Sequence, residues 1–188
     1  QQDYAKACQI SAKIPNVGMS MKMVRLVHLV MVLAGKIDQA IEFIERKRRL
    51  AGKGNLFLQL SVAQARSLLY LLTLNEDPFK QPVYKIQLKQ LMQQMEDDRE
   101  VAQVHNNLLL LKTHLLCLDN QEQAARQLLA QHQNELAADQ LNLSELCHAA
   151  VVFAALHEMY SAVDYLYAAN LQLHQMPDNS SRVFAGCL

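Results

Sequence analysis

The chain has 188 residues, which is enough for one domain with a sizeable hydrophobic core. Half of it (51%) is apolar, only 6% is aromatic, and it contains five Gly, four Pro and no Trp. A β-sandwich or barrel needs many turn residues and β-branched strands, and a disordered chain does not carry so much apolar surface. The composition argues against both classes. The abundant Leu, Ala and Gln predict an all-α protein.

Eighteen Lys and Arg balance eighteen Asp and Glu, so the net charge is zero. The charge is uneven, because residues 1–55 hold ten basic and four acidic side chains and the remainder is acidic. A nucleic-acid-binding protein usually shows a basic excess, which is absent here, so nucleic acid is not the expected partner. The uneven charge suits end-to-end stacking or a charge-matched protein partner.

The four cysteines are widely spaced and show no CxxC or Cys/His zinc-finger spacing. We expect free thiols in a reducing, intracellular compartment, either the cytoplasm or the nucleus. The longest apolar stretch, residues 26–34, is too short to span a bilayer, so no membrane association is expected. The cysteines are Cys8, Cys117, Cys147 and Cys187.

Helix-period patterns separated by short breakers recur along the whole chain. They predict nine helices, at residues 2–13, 19–34, 37–50, 55–74, 82–96, 98–117, 120–138, 143–156 and 160–174. Most linkers are shorter than six residues, which favours antiparallel neighbouring helices. We therefore predict one helical-repeat domain over residues 1–176, followed by a tail or the start of a further element over 177–188.

One short spacing pattern is sharper than the rest. Gly35 is followed two residues later by Ile37, five later by Ala40 and nine later by Ile44. This pattern resembles the junction between the two helices of a tetratricopeptide repeat, where Ala allows the helices to cross closely. Similar spacings place the crossing alanines at Ala7, Ala40, Ala124 and Ala162.

The resemblance implies a right-handed superhelical array of antiparallel helix hairpins, a TPR-like α-solenoid of about four and a half hairpins. The chain departs from the family pattern, because the family's Trp and its closing Pro are mostly missing. The segments 55–74 and 82–96 also carry no clear repeat signature. A non-repetitive helical bundle and a HEAT-like or PCI-type helical array are the alternatives.

No motif points to a metal or nucleotide site. His105 and His114 are nine residues apart, as are His148 and His157, so the members of each pair lie on opposite faces of a helix. We expect polar helix or turn histidines and no metal ion. The glycine-rich segment 51–55 lacks the GK[ST] of a phosphate loop and follows a helix, so it is interpreted as a helix C-terminal cap.

Nucleophilic catalysis is not predicted either. Cys147 and His148 are sequence neighbours, so their side chains point in different directions on a helix. The acidic residues of segment 96–100 form a run rather than a converging pair, and they favour the start of the next helix. No catalytic, cofactor-binding or metal site is expected.

The strongest charge feature is the basic run Arg46, Lys47, Arg48 and Arg49. It is a candidate site for a partner, for nuclear import or for nucleic acid. It also lies in the last turn of its predicted helix, where cations are favourable with the helix dipole. No flanking aromatic residue is expected to stack on a base.

By the same resemblance, the first helix of each hairpin lines a concave groove. The groove positions carried over are Lys22, Arg25, Leu29, Val32, Leu33, Asn106, Leu109, Thr113, Leu116, Cys117, Ser144, Cys147, Val151, Ala154 and Ala155. Many are apolar, and the carboxylate clamp of the chaperone-tail binders is not reproduced. A soluble monomer rarely exposes a wide apolar strip, so we expect a partner polypeptide to cover it.

The expected function is a non-catalytic protein–protein interaction scaffold or adaptor, without a cofactor, in a larger intracellular complex. The alternative is a helical nucleic-acid-associated module that uses Arg46–Arg49. A helical enzyme would need polar residues that converge in a pocket, and the pattern shows none.

Overall fold

The fold is that of a computed structural model, which describes residues 21–74 and 77–175, apart from the side chains of Met21, Lys22 and Arg25. All regular structure in these ranges is helical, which confirms the all-α prediction. The helices are α1 (Met21–Leu33), α2 (Ile37–Ala51), α3 (Asn55–Leu74), α4 (Gln81–Glu96), a 3-10 turn (Val101–Val104), α5 (His105–Leu118), α6 (Glu122–Gln131), α7 (Leu143–Ala155) and α8 (Met159–Gln175). The predicted helix 2–13 and the segment 177–188 lie outside the described residues.

The predicted helix 98–117 begins later than expected, at His105. Asp98 is instead used in a tertiary contact, because its carboxylate accepts hydrogen bonds from the backbone N–H groups of Gly54 (3.2 Å) and Glu100 (3.0 Å). These bonds lower the pKa of Asp98. They place a negative charge at the N-terminus of α3, where the helix dipole favours it.

The predicted helix 120–138 ends earlier than expected, at Gln131. From His132 the chain forms turns, and Leu136 and Leu141 are buried in the core from this irregular segment. The hydroxyl of Tyr165 donates to the carbonyl of Leu136 at 2.7 Å, which satisfies a backbone group that a longer helix would have paired internally.

The chain divides into two compact units, one up to Gln103 and one from Val104 on. In the first unit α2 packs against both α1 and α3, and α3 packs against α4. In the second unit α5 packs against α6 and α7, and α7 packs against α8. The single domain expected over residues 1–176 stays a prediction.

Three helix hairpins turn in the same way. Gly35, Asn120 and His157 have positive φ angles of 73°, 57° and 61° and end α1, α5 and α7. The N–H of each donates to the carbonyl three residues earlier, and the next N–H donates to the carbonyl five residues earlier at 2.8–2.9 Å. This is the Schellman motif, which satisfies the last carbonyls of a helix. Gly adopts this left-handed conformation readily, and Asn and His are among the other residue types that are enriched in it.

Five residues after each of these turn residues lies a buried alanine. The three are Ala40, Ala125 and Ala162. A small side chain here allows the paired helices to approach closely. The prediction of Ala124 as the crossing residue is therefore wrong by one position, since Ala124 is only half-buried and the turn is set by Asn120. A recurring hairpin of this kind is compatible with a helical repeat.

Helix α3 is the most apolar long helix of the first unit. Among the described helices it is long and apolar enough to cross a membrane by length and composition, and 56% of its most apolar stretch is buried. The core helix of a water-soluble protein meets the same criterion. Helix α3 packs against both α2 and α4.

Candidate functional site

The last described helix, α8, has one face packed into the second unit. Ala162 and Ala169 on this face are buried. The ring of Tyr165 stacks on Phe153 with 5.1 Å between centroids. The hydroxyl of Tyr165 also holds the carbonyl of Leu136. These contacts fix the rotation of α8 about its axis, and therefore which side chains it presents to solvent.

The opposite face of α8 is exposed and mostly apolar, with the exposed Asn170 lying among its apolar side chains. At 100° per residue its members fall in one continuous arc, and they extend over about 18 Å of helix. Single exposed apolar residues are ordinary, whereas a contiguous group on one helix face is a candidate interaction surface. We call this group the α8 outer face; it consists of Met159, Tyr160, Val163, Leu166, Tyr167 and Leu171.

The α8 outer face has a counterpart in the first unit. Helix α2 follows the Gly35 turn as α8 follows the His157 turn, so residues at equal distances after the turn are equivalent. The positions two, six and nine residues after the turn are apolar in both helices. They are Ile37, Ile41 and Ile44 in α2, exposed by 8%, 8% and 0%, and Met159, Val163 and Leu166 in α8, exposed by 59%, 58% and 53%.

The difference between the two helices lies in their neighbours. Helix α2 packs against the preceding helix of its hairpin, α1, and against the following helix, α3. Ile44 and Leu60 of α3 belong to the same buried cluster. Helix α8 packs against α7, the preceding helix of its own hairpin. Met159, Val163 and Leu166 of the α8 outer face are thus equivalent to residues that are buried in α2. The other three, Tyr160, Tyr167 and Leu171, are equivalent to polar residues of α2 that are not buried.

The groove positions predicted from the resemblance differ in how far their side chains are exposed to solvent. Leu109 and Thr113 are buried in the second unit, and the Thr113 hydroxyl donates to the Leu109 carbonyl at 2.8 Å. Both side chains are covered within the second unit, and their role in binding a partner stays a prediction. The half-buried positions are Leu29, Val32, Asn106, Leu116, Cys117, Ser144, Cys147 and Ala154.

Three described groove positions are exposed, namely Leu33, Val151 and Ala155. The remaining two, Lys22 and Arg25, have side chains outside the described part of the chain. The exposed apolar surface of the second unit is therefore concentrated on the second helix of its last hairpin, α8, more than on the first helices that the resemblance singled out.

The basic run at the end of α2 is partly used by the fold. The Nζ of Lys47 lies 5.7 Å from the ring centroid of Phe43, one helical turn earlier. The guanidinium of Arg48 lies over Phe57 at 5.4 Å, and its Nη1 donates to Gln94 Oε1 at 2.6 Å. The run therefore has aromatic neighbours, contrary to expectation, but these rings pack against the cations of the run itself.

The other two basic residues lie towards solvent. Arg49 pairs with Glu45 one turn earlier at 2.5 Å, and Arg46 is exposed. Arg46, Lys47 and Arg49 line, with Phe43 and Leu50, a shallow cleft of about 290 Å³. Phe43 is itself buried and offers no free face for stacking on a base.

A larger cleft of about 520 Å³ lies in the second unit beside the stacked pair Phe153 and Tyr165. Three charged side chains line it, namely Arg126, Glu158 and Asp164, and Arg126 forms an ion pair with Glu158. The same guanidinium donates to the carbonyl of Leu156, so Arg126 ties α6 to the turn between α7 and α8. These bonds give Arg126 and Glu158 a structural role.

Two histidines that are far apart in sequence meet inside the second unit. The Nδ1 of His114 lies 3.2 Å from the Nε2 of His148, and both side chains are buried. Burial lowers the pKa of His114 to about 4, so its ring is neutral at pH 7. The pair links α5 to α7.

A second histidine group lies at the surface of the same unit. The Nε2 of His105 is 2.6 Å from Glu135 Oε2, and the Nδ1 of His132 is 3.0 Å from Glu135 Oε1. Hydrogen bonds from His132 and His105 lower the pKa of Glu135. Sequence reasoning missed both histidine groups, since their members come from different elements; the i, i+3 spacing of His132 and Glu135 is the one local signal.

The predicted thiols are supported at two positions. Cys117 and Cys147 are half-buried thiols that form no disulfide with each other, and burial raises the pKa of Cys117. Cys8 and Cys187 lie outside the described residues.

Comparisons of the chain with protein-family models, with curated proteins and with solved structures give no match.

Proposed function

We propose that this protein is a non-catalytic interaction scaffold, a divergent TPR-like helical-repeat subunit that holds a partner polypeptide in a larger intracellular complex. One observation supports the proposal most strongly. Met159, Val163 and Leu166 of α8 are more than half exposed, whereas the equivalent residues of α2 are buried. The same apolar positions are thus buried in α2 and exposed in α8, and an exposed apolar surface of this kind suits contact with another chain.

The occupant of the α8 outer face is an amphipathic helix of a partner polypeptide. Within the first unit, Ile44 on the equivalent surface of α2 belongs to the same buried cluster as Leu60 of the helix α3. Ridges of side chains on one helix fit the grooves of another at such contacts. Tyr160 and Tyr167 add large rings with a polar hydroxyl, a residue type enriched at protein interfaces. The partner helix therefore presents an apolar face with few charges.

The size of the surface determines the kind of partner. Completing the burial of a half-exposed large apolar side chain contributes about 1 kcal/mol, so six such residues contribute about 6 kcal/mol. Association costs at least about 4 kcal/mol in lost translational and rotational freedom. A short peptide that must also fold into a helix is thus expected to bind weakly. A folded partner that presents its helix preformed avoids this folding cost and also buries apolar surface of its own, so it is expected to bind more tightly than a peptide.

The geometry of the basic run favours a protein partner over nucleic acid. Arg48 is held by Gln94 and Phe57, and Arg49 pairs with Glu45. Arg46 and Arg49 remain exposed, and two exposed cations, one of them paired with an acidic side chain, are a small electrostatic footprint for a phosphate backbone.

The experiment compares two double variants in affinity purification of the full chain from its source cells, at low and high salt. Val163→Glu with Leu166→Glu places two charges on the α8 outer face. Val83→Glu with Ile86→Glu is the matched control, because these α4 residues are similarly exposed and have the same spacing. Far-UV circular dichroism checks that both variants keep their helical content.

We expect one stoichiometric protein with the unmodified chain and with the control, surviving high salt, and its loss with the α8 variant. Retention of that protein by the α8 variant contradicts the proposal, as does equal loss in the control. Sedimentation of the purified chain is the companion measurement. A dimer that the α8 variant alone abolishes would mean that a second copy of this chain occupies the surface.

A further inference from the structure

The side chains of His105, His132 and Glu135 converge at the surface of the second unit. One donor atom from each lies within 4.8 Å of the other two. The carboxylate stands between the imidazoles, with one oxygen towards each. The histidine rings are 5.9 Å apart and inclined by 65°, so they do not stack face to face. Both ring nitrogens point at one small region of space.

The backbone that carries these groups is held in place. His105 is the first residue of α5, and His132 directly follows α6. The Glu135 N–H donates to the His132 carbonyl at 3.1 Å, which closes the turn. Leu136, the next residue, is buried, and its carbonyl accepts the Tyr165 hydroxyl. The turn is therefore tied to the core immediately beside the three side chains.

We propose that His105, His132 and Glu135 form a binding site for a divalent transition-metal ion, with Zn²⁺ as the best fit. Two imidazoles and one carboxylate are a ligand set that zinc accepts, whereas Mg²⁺ and Ca²⁺ prefer oxygen ligands. Zinc holds its ligands at about 2.1 Å, so ligand atoms in a tetrahedral site lie about 3.4 Å apart. Small side-chain rotations bring the three donor atoms to that spacing.

The site has an open side. The side chains of His105 and Glu135 are 45% and 46% exposed, and that of His132 is 28% exposed. An ion enters from solvent without any rearrangement of the core. Three protein ligands leave a fourth position for water or for a side chain of another molecule. The ion replaces the hydrogen bonds that now join the carboxylate to the two rings and links the start of α5 to the turn after α6.

The test uses the purified full chain and Zn²⁺ in competition with a chromophoric chelator. We expect one equivalent to bind, and His105→Ala, His132→Ala and Glu135→Ala each to lower the affinity at least tenfold. His174→Ala is the control, because His174 is an exposed histidine of α8 outside the group, and it is expected to bind as the unmodified chain does. All four substitutions are at partly or fully exposed side chains, and circular dichroism verifies the fold.

Substitution with Co²⁺ separates this site from the thiols. Binding at the histidine group gives a visible ligand-field spectrum without a thiolate charge-transfer band, and saturating Zn²⁺ raises the melting temperature of the unmodified chain but not of His132→Ala. Absence of stoichiometric binding overturns the proposal. Equal binding by the three ligand variants, or a thiolate band, places the ion elsewhere and also overturns it.

Discussion

Substituting leucine at two adjacent alanines tests the register of the Asn120 hairpin. Ala125 is fully buried five residues after the turn, as Ala40 is after Gly35. Ala124 is half-buried. Substitution with leucine adds three carbon atoms at either position. At Ala125 these atoms enter a fully buried contact, whereas at Ala124 they enter a partly exposed one.

The expected magnitudes differ clearly. Overpacking a filled core site costs about 1–3 kcal/mol. For a unit of this size, each kcal/mol lowers the unfolding midpoint by about 4–8 °C. Ala125→Leu is thus expected to lower the midpoint by at least about 4 °C. Substitutions away from tight contacts usually change stability by about 0.5 kcal/mol or less, which is the expectation for Ala124→Leu.

Thermal and urea unfolding of both variants, followed by far-UV circular dichroism, measures the difference. Ala40→Leu and Ala162→Leu supply the same test in the other two hairpins, where losses similar to that of Ala125→Leu are expected. If Ala124→Leu destabilises the chain as much as Ala125→Leu, the crossing contact is not at Ala125 and the repeated hairpin geometry is refuted.

Two further predictions concern pH and helix capping. Burial lowers the pKa of His28 and of His114 from 6.5 to about 4, so the unfolded chain takes up these protons first. The contribution of the two histidines to the free energy of unfolding is therefore fully present above pH 6.5. It is lost as the pH drops towards 4, by about 3 kcal/mol for each histidine. Urea unfolding that gives equal stability at pH 7.5 and pH 4.5 contradicts this prediction. The side chain of Asn142 caps α7 by accepting the Glu145 N–H at 3.1 Å, and Asn142→Ala is expected to cost about 1 kcal/mol. Glu145→Ala is expected to cost more, because the buried Asn107 amide also donates to the Glu145 carboxylate. A smaller loss of stability for Glu145→Ala than for Asn142→Ala in urea unfolding would refute this expectation.

Most helices were predictable because their signals are local. Apolar periodicity and the breakers Gly35 and Gly52 place α1, α2 and α3 within about two residues of their observed bounds. The predicted start at 98 failed because Asp98 bonds to Gly54, forty-four residues away. The Asn120 hairpin was shifted by one residue because Ala124 and Ala125 are adjacent, and only the backbone conformation of the turn decides between them.

The candidate site was less predictable, since it depends on neighbours that the sequence does not reveal. The apolar spacing of Ile37 and Ile41 in α2 is the same as that of Met159 and Val163 in α8, yet one pair is buried and the other exposed. Groove positions such as Leu109 assumed an ideal repeat, and the actual packing of α5 against α7 buries that residue. Histidine contacts between distant elements carry no sequence pattern.

Site-specific photo-crosslinking from α8 in the source cells tests the central claim most directly. A photoreactive residue in place of Leu166 reports the occupant of the α8 outer face, and one in place of Phe79, an exposed residue at the turn before α4, serves as the control. The account predicts a discrete crosslink from Leu166 to one other polypeptide, mapped to an amphipathic helix, and no such product from Phe79. A crosslink from Leu166 to this chain itself, or the same product from both positions, would contradict it.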